Sequence, residues 1–103
     1  MLTKSQIDEV VRKVVEGYQP EKIILFGSYL KGTATDDSDL DLCVVKADFR
    51  SRRARHREVE MLLADRNFSI DILVFRPEEL ANPNPYDSFT CEIAKMGKVI
   101  YER

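Results

Sequence analysis

Residues 25–45 read "LFGSYLKGTATDDSDLDLCVV", and this stretch decides the fold. Leu40, Leu42 and Val44 alternate with Asp39, Asp41, Cys43 and Val45, the two-residue period of a strand with its carboxylates on one face. Asp is disfavoured in strands, and an unpaired buried carboxylate is costly. Two of them in an apolar strand need an explanation. Just upstream, "KIILF" at 22–26 is short, apolar and β-branched, hence a second strand. Gly27 to Lys31 turns into a short helix, and "TATDDS" at 33–38 is loop chemistry.

The same reading extends outward. Thr3 and Gln6 are spaced for a capping box. Ile7, Val10, Val11, Val14 and Tyr18 then follow helical spacing, with Gly17 expected to close the helix before Pro20. Residues 50–66 predict a helix with Val59, Leu62 and Leu63 facing inward, and "FSIDILVF" at 68–75 predicts a third strand. "PEEL" at 77–80 is a helical turn opened by proline, and "NPNP" at 82–85 is a loop. Residues 86–96 form a last helix stopped by Gly97, and "KVIYE" adds an edge strand. The expected fold is α/β (α+β), a small mixed sheet with helices packed against it, in a single domain over 1–103.

Composition narrows the function classes. The chain has 103 residues, 44% hydrophobic and 33% charged, enough to fold around one modest core. No apolar run approaches the ~18 residues of a membrane span. The charged, helical N-terminus is no signal peptide, so a cytoplasmic protein is expected. Cys43 and Cys91 lack metal-ligand or disulfide spacing and read as small buried residues. A net charge of −2 leaves direct nucleic-acid binding open.

In the third strand Phe68, Ile70, Ile72 and Val74 make an apolar face, and Asp71 lies on the other. If the two strands are neighbours, Asp39, Asp41 and Asp71 converge. Two like charges about 5 Å apart cost roughly 3 kcal/mol at an effective dielectric near 20. Three such pairs weigh heavily against a total stability of ~5–15 kcal/mol. Protonation can offset that cost, and so can a hard divalent cation. Oxygen ligands favour Mg²⁺ or Mn²⁺, and a pair of ions suits phosphoryl transfer. The plainer alternative is that Asp-x-Asp is strand-end turn chemistry or a partner for nearby Lys or Arg.

Gly27-Ser28 ends a strand and opens a helical turn, where free N–H groups and a hydroxyl bind phosphate readily; Lys31 can add a point charge. The alternative is an ordinary turn with Lys31 merely exposed. Neither GxxxxGK[ST] nor GxGxxG is present. Taken together, "GSYLKGTATDDSDLDLCVV" and a third Asp on a later strand resemble the signature of the DNA polymerase β-like nucleotidyltransferase superfamily. The Ser-Asp-x-Asp-Leu wording is most similar to the minimal nucleotidyltransferases, commonly encoded beside a HEPN-domain toxin as its antitoxin. The resemblance implies a nucleotidyltransferase fold. It implies that Gly27, Ser28 and, less directly, Lys31 bind the nucleotide, since many relatives carry Arg at the last position. It implies that Asp39, Asp41 and Asp71 are catalytic and hold two Mg²⁺ ions, with Mn²⁺ an alternative. ATP is then the substrate, attacked at its α-phosphate, and AMP is passed to a hydroxyl of a HEPN toxin.

Five arginines fall within residues 50–57, near a helix N-terminus where the dipole disfavours cations. They mark either an acidic partner or RNA backbone, or a solvated face balanced by Glu58, Glu60 and Asp65. His56 reads as exposed among them, and Tyr86 and Phe89 as packing residues. A chain of this length leaves the acceptor site to be shared with another protein or completed by a second copy in a homo-oligomer. Two rival readings remain at this level: an inactive antitoxin that works by contact, and a transferase to a small-molecule hydroxyl.

Overall fold

The computed structural model describes all residues, 1–103. The elements run α1 (Lys4–Tyr18), β1 (Lys22–Phe26), α2 (Ser28–Lys31), β2 (Leu40–Val45), α3 (Arg52–Leu62), β3 (Ile70–Phe75), α4 (Pro77–Ala81), α5 (Ser88–Met96) and β4 (Lys98–Glu102). The strands form one mixed sheet in the order β3-β2-β1-β4. β1 is antiparallel to β2 and β4, and β2 is parallel to β3. The expected α/β (α+β) architecture is therefore the one observed.

Helices cover both faces. On one, α1 and α3 close over Ile23, Leu40, Leu42, Val44, Ile70, Ile72 and Val74, part of a cluster of 12 buried residues. On the other, Ile93 of α5 joins Ile24, Phe26, Cys43, Val45 and Phe75 in a cluster of 6. Strand alternation separates the two sets. The odd-numbered face of β2 and β3 is the thinly covered one, and it carries Asp41 and Asp71.

Several boundaries differ from the sequence expectation. The capping box forms as read, with the Thr3 N–H donating to Gln6 Oε1 (2.8 Å) and the Gln6 N–H to Thr3 Oγ1 (3.2 Å). Gly17 does not end α1: it lies inside the helix against Leu62, whose Cδ2 would stand 2.4 Å from any Cβ there. Gln19 caps the helix instead, in the left-handed conformation at φ 54°, immediately before Pro20. The helix predicted over 50–66 is confined to Arg52–Leu62, opened by Ser51, whose hydroxyl accepts from the Ala54 N–H (3.2 Å). Leu62 is only half-buried, while Leu63, just past the helix, is fully buried. The third strand starts at Ile70 rather than Phe68. Cys43 is buried as expected, but Cys91 is partly exposed, and both are free thiols. No helix is long and apolar enough to cross a membrane.

Candidate active site

Sheet register builds the site. Phe26 at the end of β1 lies opposite Asp41, and Asp41 lies beside Asp71 in the parallel β2–β3 pair. The two carboxylates are thus direct lateral neighbours on one face. Asp39 falls outside the strand in which it was expected, because β2 begins at Leu40, whose N–H donates to the Ser69 carbonyl (3.1 Å). It is an exposed residue at the entrance of β2, yet close enough for its charge to act on Asp41.

The Asp41 carboxyl titrates at about 6, far above an ordinary aspartate. Partial burial is the largest cause, followed by the charges of Asp71 and Asp39 and a hydrogen bond with Asp71. Asp41 and Asp71 come together, but no group of three acidic, His or Cys side chains is gathered tightly enough to hold a metal, so the expected three-way convergence with Asp39 does not form in this geometry: Asp39 precedes the strand and stays at the surface. The set still fits a hard divalent cation in two respects. Its donors are carboxylate oxygens only. The Asp41 carboxylate also lies where a Cβ on Gly27 would be, 2.1 Å from that position at Oδ2, so the missing side chain makes a cradle for the acidic group.

Gly27 also has φ 75° and ψ −154°, a backbone conformation open essentially to glycine alone. The turn carries the chain from β1 into α2, where the Leu30 and Lys31 N–H groups donate to the Gly27 carbonyl (both 3.1 Å). The Ser28 and Tyr29 N–H groups open the helix and have no intrahelical acceptor. Tyr29 ties the turn to the N-terminal segment by accepting from the Leu2 N–H (2.9 Å).

A cleft of about 240 Å³ joins Gly27, Lys31, Asp41 and Asp71 to Phe89, Glu92 and Met96 of α5. That is small for a cofactor-sized ligand, so a nucleotide would extend beyond it. Larger grooves exist, among them one of about 570 Å³ between β4, α4 and α5, but it contains none of the three aspartates. Lys31 Nζ lies 3.6 Å from Glu92 Oε1 across the cleft, both side chains more than half exposed. Phe89 packs edge-on to Phe26 at 5.6 Å and forms the rim as expected, whereas Tyr86 projects into solvent and packs on nothing, 96% exposed. Glu92 escaped the sequence reading; its only signal was helical spacing from Phe89 and Met96, which also face the cleft.

The arginine run resolves into separate roles. Arg55 is buried, with Nη1 2.9 Å from Glu79 Oε1 of α4. Arg52 also reaches Glu79 (3.1 Å) and lies over the Phe75 ring at 5.0 Å. Burial alone would raise the Glu79 carboxyl, but hydrogen bonds from the Arg76 N–H, Arg55 and Arg52 outweigh it and hold the group at about 2. Arg50 pairs with Asp48 and Glu58. Glu60 turns to Arg66, with His56 3.6 Å away, while Asp65 pairs with Lys13 of α1 rather than with the arginines.

The sheet thus juxtaposes two aspartates beside a Gly-Ser turn. The family of polymerase beta nucleotidyltransferases matches residues 8–103, so the chain belongs to that family and is a nucleotidyltransferase. A Methanocaldococcus jannaschii relative with the provisional name protein adenylyltransferase is 31% identical over 106 residues, covering 94% of this chain and 70% of the relative. A solved Sulfolobus solfataricus protein, provisionally called a nucleotidyltransferase, superposes with a TM-score of 0.69 at 20% identity, covering 94% of this chain and 78% of its own. A toxin–antitoxin structure with AMP-PNP gives a TM-score of 0.62 at 24% identity, covering 99% of this chain and 75% of that one. At these identities the two structures speak to the fold.

Proposed function

We propose that the cleft is the centre of a protein-directed adenylyltransferase. ATP is the donor, a partner-protein hydroxyl is the acceptor, and the partner is a HEPN-domain toxin that modification silences, which makes this chain an antitoxin. The lateral Asp41–Asp71 pair packed on Gly27 carries the proposal. The name of the M. jannaschii relative supports the reaction class, and the toxin–antitoxin fold neighbour with AMP-PNP is consistent with the donor and the setting.

Asp39, Asp41 and Asp71 would hold two Mg²⁺ ions, or Mn²⁺, which supply neutralising charge at the attacking and leaving oxygens. Gly27 and Ser28 bind the triphosphate through backbone N–H groups and the Ser28 hydroxyl. Lys31 exchanges Glu92 for a phosphate oxygen; a half-exposed pair of this kind is worth little and breaks easily. Asp71, the more exposed of the strand pair, faces the incoming acceptor and takes its proton. The acceptor oxygen bonds to the α-phosphorus, the bond to the bridging oxygen breaks, and diphosphate leaves.

The test incubates the chain and its toxin with ATP labelled at the α-phosphate. Wild type is expected to label the toxin and relieve its toxicity, and Asp39→Ala/Asp41→Ala to do neither. A double variant that still neutralises fully would identify an antitoxin acting by contact alone and overturn the proposal.

A further inference from the structure

Of the four tyrosines in the chain, three are engaged. Tyr18 is fully buried and donates to Asp48 Oδ2 (2.8 Å). The Tyr29 hydroxyl accepts from the Leu2 N–H, and Tyr101 is half-buried against the larger core. Tyr86 alone stands in solvent with its ring and hydroxyl unpartnered. The loop around it holds its backbone and leaves its side chain free. Asn84, between Pro83 and Pro85, accepts from the Tyr86 N–H at Oδ1 (3.0 Å) and from the Asp87 N–H at its carbonyl (2.9 Å). Asp87 in turn caps α5, accepting from the Thr90 N–H (3.1 Å) and hydroxyl (2.7 Å). Tyr86 is thus presented at a fixed place on the surface.

That place is beside the cleft. Phe89, three residues further on, lines it together with Met96, and three residues span at most about 11 Å. The Phe89 ring meets Phe26, which is paired with Asp41 in the sheet. Tyr86 does not line its own cleft. The rim is apolar and open, with Phe89 51% and Met96 69% exposed. One chain therefore carries a free aromatic hydroxyl and, next to it, an open cleft with an apolar rim. A two-fold axis passing beside that rim carries each Tyr86 over the cleft of the other copy.

We propose that Tyr86 is itself an acceptor of AMP, delivered by the cleft of a second copy of this chain. The Tyr86 ring packs on Phe89 and Met96 of that copy, and its hydroxyl faces that copy's Asp71. The Tyr86 oxygen bonds to the α-phosphorus of ATP, and its proton passes to Asp71. The bond from the α-phosphorus to the bridging oxygen breaks, and diphosphate leaves. The product is a phosphodiester joining Tyr86 to AMP. So few side chains bury far less than the ~1,200 Å² of a stable interface, so the copies meet in passing. A net charge of only −2 per chain lets them approach. The inference rests on the proposed adenylyl transfer from ATP and adds to it an acceptor within the chain's own kind.

The test incubates the full chain, without toxin, with Mg²⁺ and ATP labelled at the α-phosphate. Wild type is expected to take label, with one adenylyl group placed on Tyr86 by peptide mass spectrometry. The initial rate per chain should rise in proportion to protein concentration. Tyr86→Phe should lose the label, while its circular dichroism spectrum and its labelling of the toxin stay unchanged. Asp41→Asn/Asp71→Asn should not label itself, yet should gain label at Tyr86 when mixed with active Tyr86→Phe. Label confined to a residue other than Tyr86, a rate per chain independent of concentration, or a double variant left unlabelled in the mixture would overturn the proposal. Label on the toxin with none on the chain would overturn it too and leave the adenylyltransferase reading standing. No label on either protein would remove both.

Discussion

Replacing Asp41 with Asn should stabilise the protein, and only above a definable pH. The carboxyl titrates at about 6 because it is partly buried and because Asp71 and Asp39 repel its charge. An unfolded chain ionises the same group near pH ~4. Between those values the native state keeps a proton that the unfolded chain has released, so stability falls as pH rises through the window. Above about pH 6 the whole cost is present. Taken at face value it is ~3 kcal/mol, but Asp41 is far from fully buried, and solvent screening reduces it to about 1–2 kcal/mol. Asn cannot ionise and keeps nearly the same shape against Gly27. Asp41→Asn should therefore gain about 1–2 kcal/mol at pH 7.5 and about nothing at pH 4.

Urea unfolding in EDTA at both pH values measures this directly, provided wild type and variant share one m-value. Subtracting the two proteins cancels the titration of distant groups. Mg²⁺ added at pH 7.5 should raise the wild-type midpoint and leave the variant's nearly unmoved, since a ligand of the native state stabilises by mass action. A gain of equal size at pH 4 and pH 7.5 would place its origin in packing. A loss at pH 7.5 would refute the charge argument outright.

The two left-handed glycines should separate cleanly. Gly27→Ala combines a glycine-only conformation with a Cβ 2.1 Å from Asp41 Oδ2, and should cost about 3 kcal/mol in urea unfolding and abolish transfer. Gly32→Ala has the same φ of 75° but nothing within 4 Å, and should cost only about 1 kcal/mol with transfer retained. Glu79→Gln strips the buried Arg55 of its counter-charge and should cost about 2 kcal/mol near pH 7, a deficit that shrinks as acid protonates wild-type Glu79 toward about 2. Phe89→Ala removes an edge-on contact with Phe26 worth about 1 kcal/mol of stability, which thermal denaturation would read, and should weaken AMP-PNP binding at the cleft rim, which calorimetry would read.

β2 and β3 were legible in the sequence because a two-residue period survives in any context that buries one face, and β1 because it is a short, apolar, β-branched run. The capping box was legible because Thr3 and Gln6 satisfy each other locally. Gly17 misled because a helix interior and a helix end both accept glycine; only the approach of Leu62, a tertiary fact, distinguishes them. Arg55 was hidden inside a run of similar residues, although it shares the four-residue spacing of Val59 and Leu63 that marks the buried side of α3. At the site, the residue types of Asp41 and Asp71 could be read, but their adjacency only on the condition that the two strands are neighbours. Adjacency depends on β2 and β3 being parallel neighbours in one particular register, which α3 and the core enforce from a distance.

That dependence explains how a small sheet keeps a repulsive pair in place. Ile70, Ile72 and Val74 project into the larger core, against Leu40, Leu42 and Val44 of β2. Asp71 leaves the same six-residue strand on the opposite face. Charge repulsion alone would slide or splay the two strands. A slip of one residue would turn Asp71 into the apolar core and Ile70 and Ile72 into the cleft. Burying each displaced aliphatic side chain is worth about 1.5–3 kcal/mol, and a slip would forfeit several of them together. The charge cost of about 1–2 kcal/mol at Asp41 cannot compete with that loss. Core register and site geometry are therefore one constraint: residues that never touch a nucleotide hold the two aspartates together.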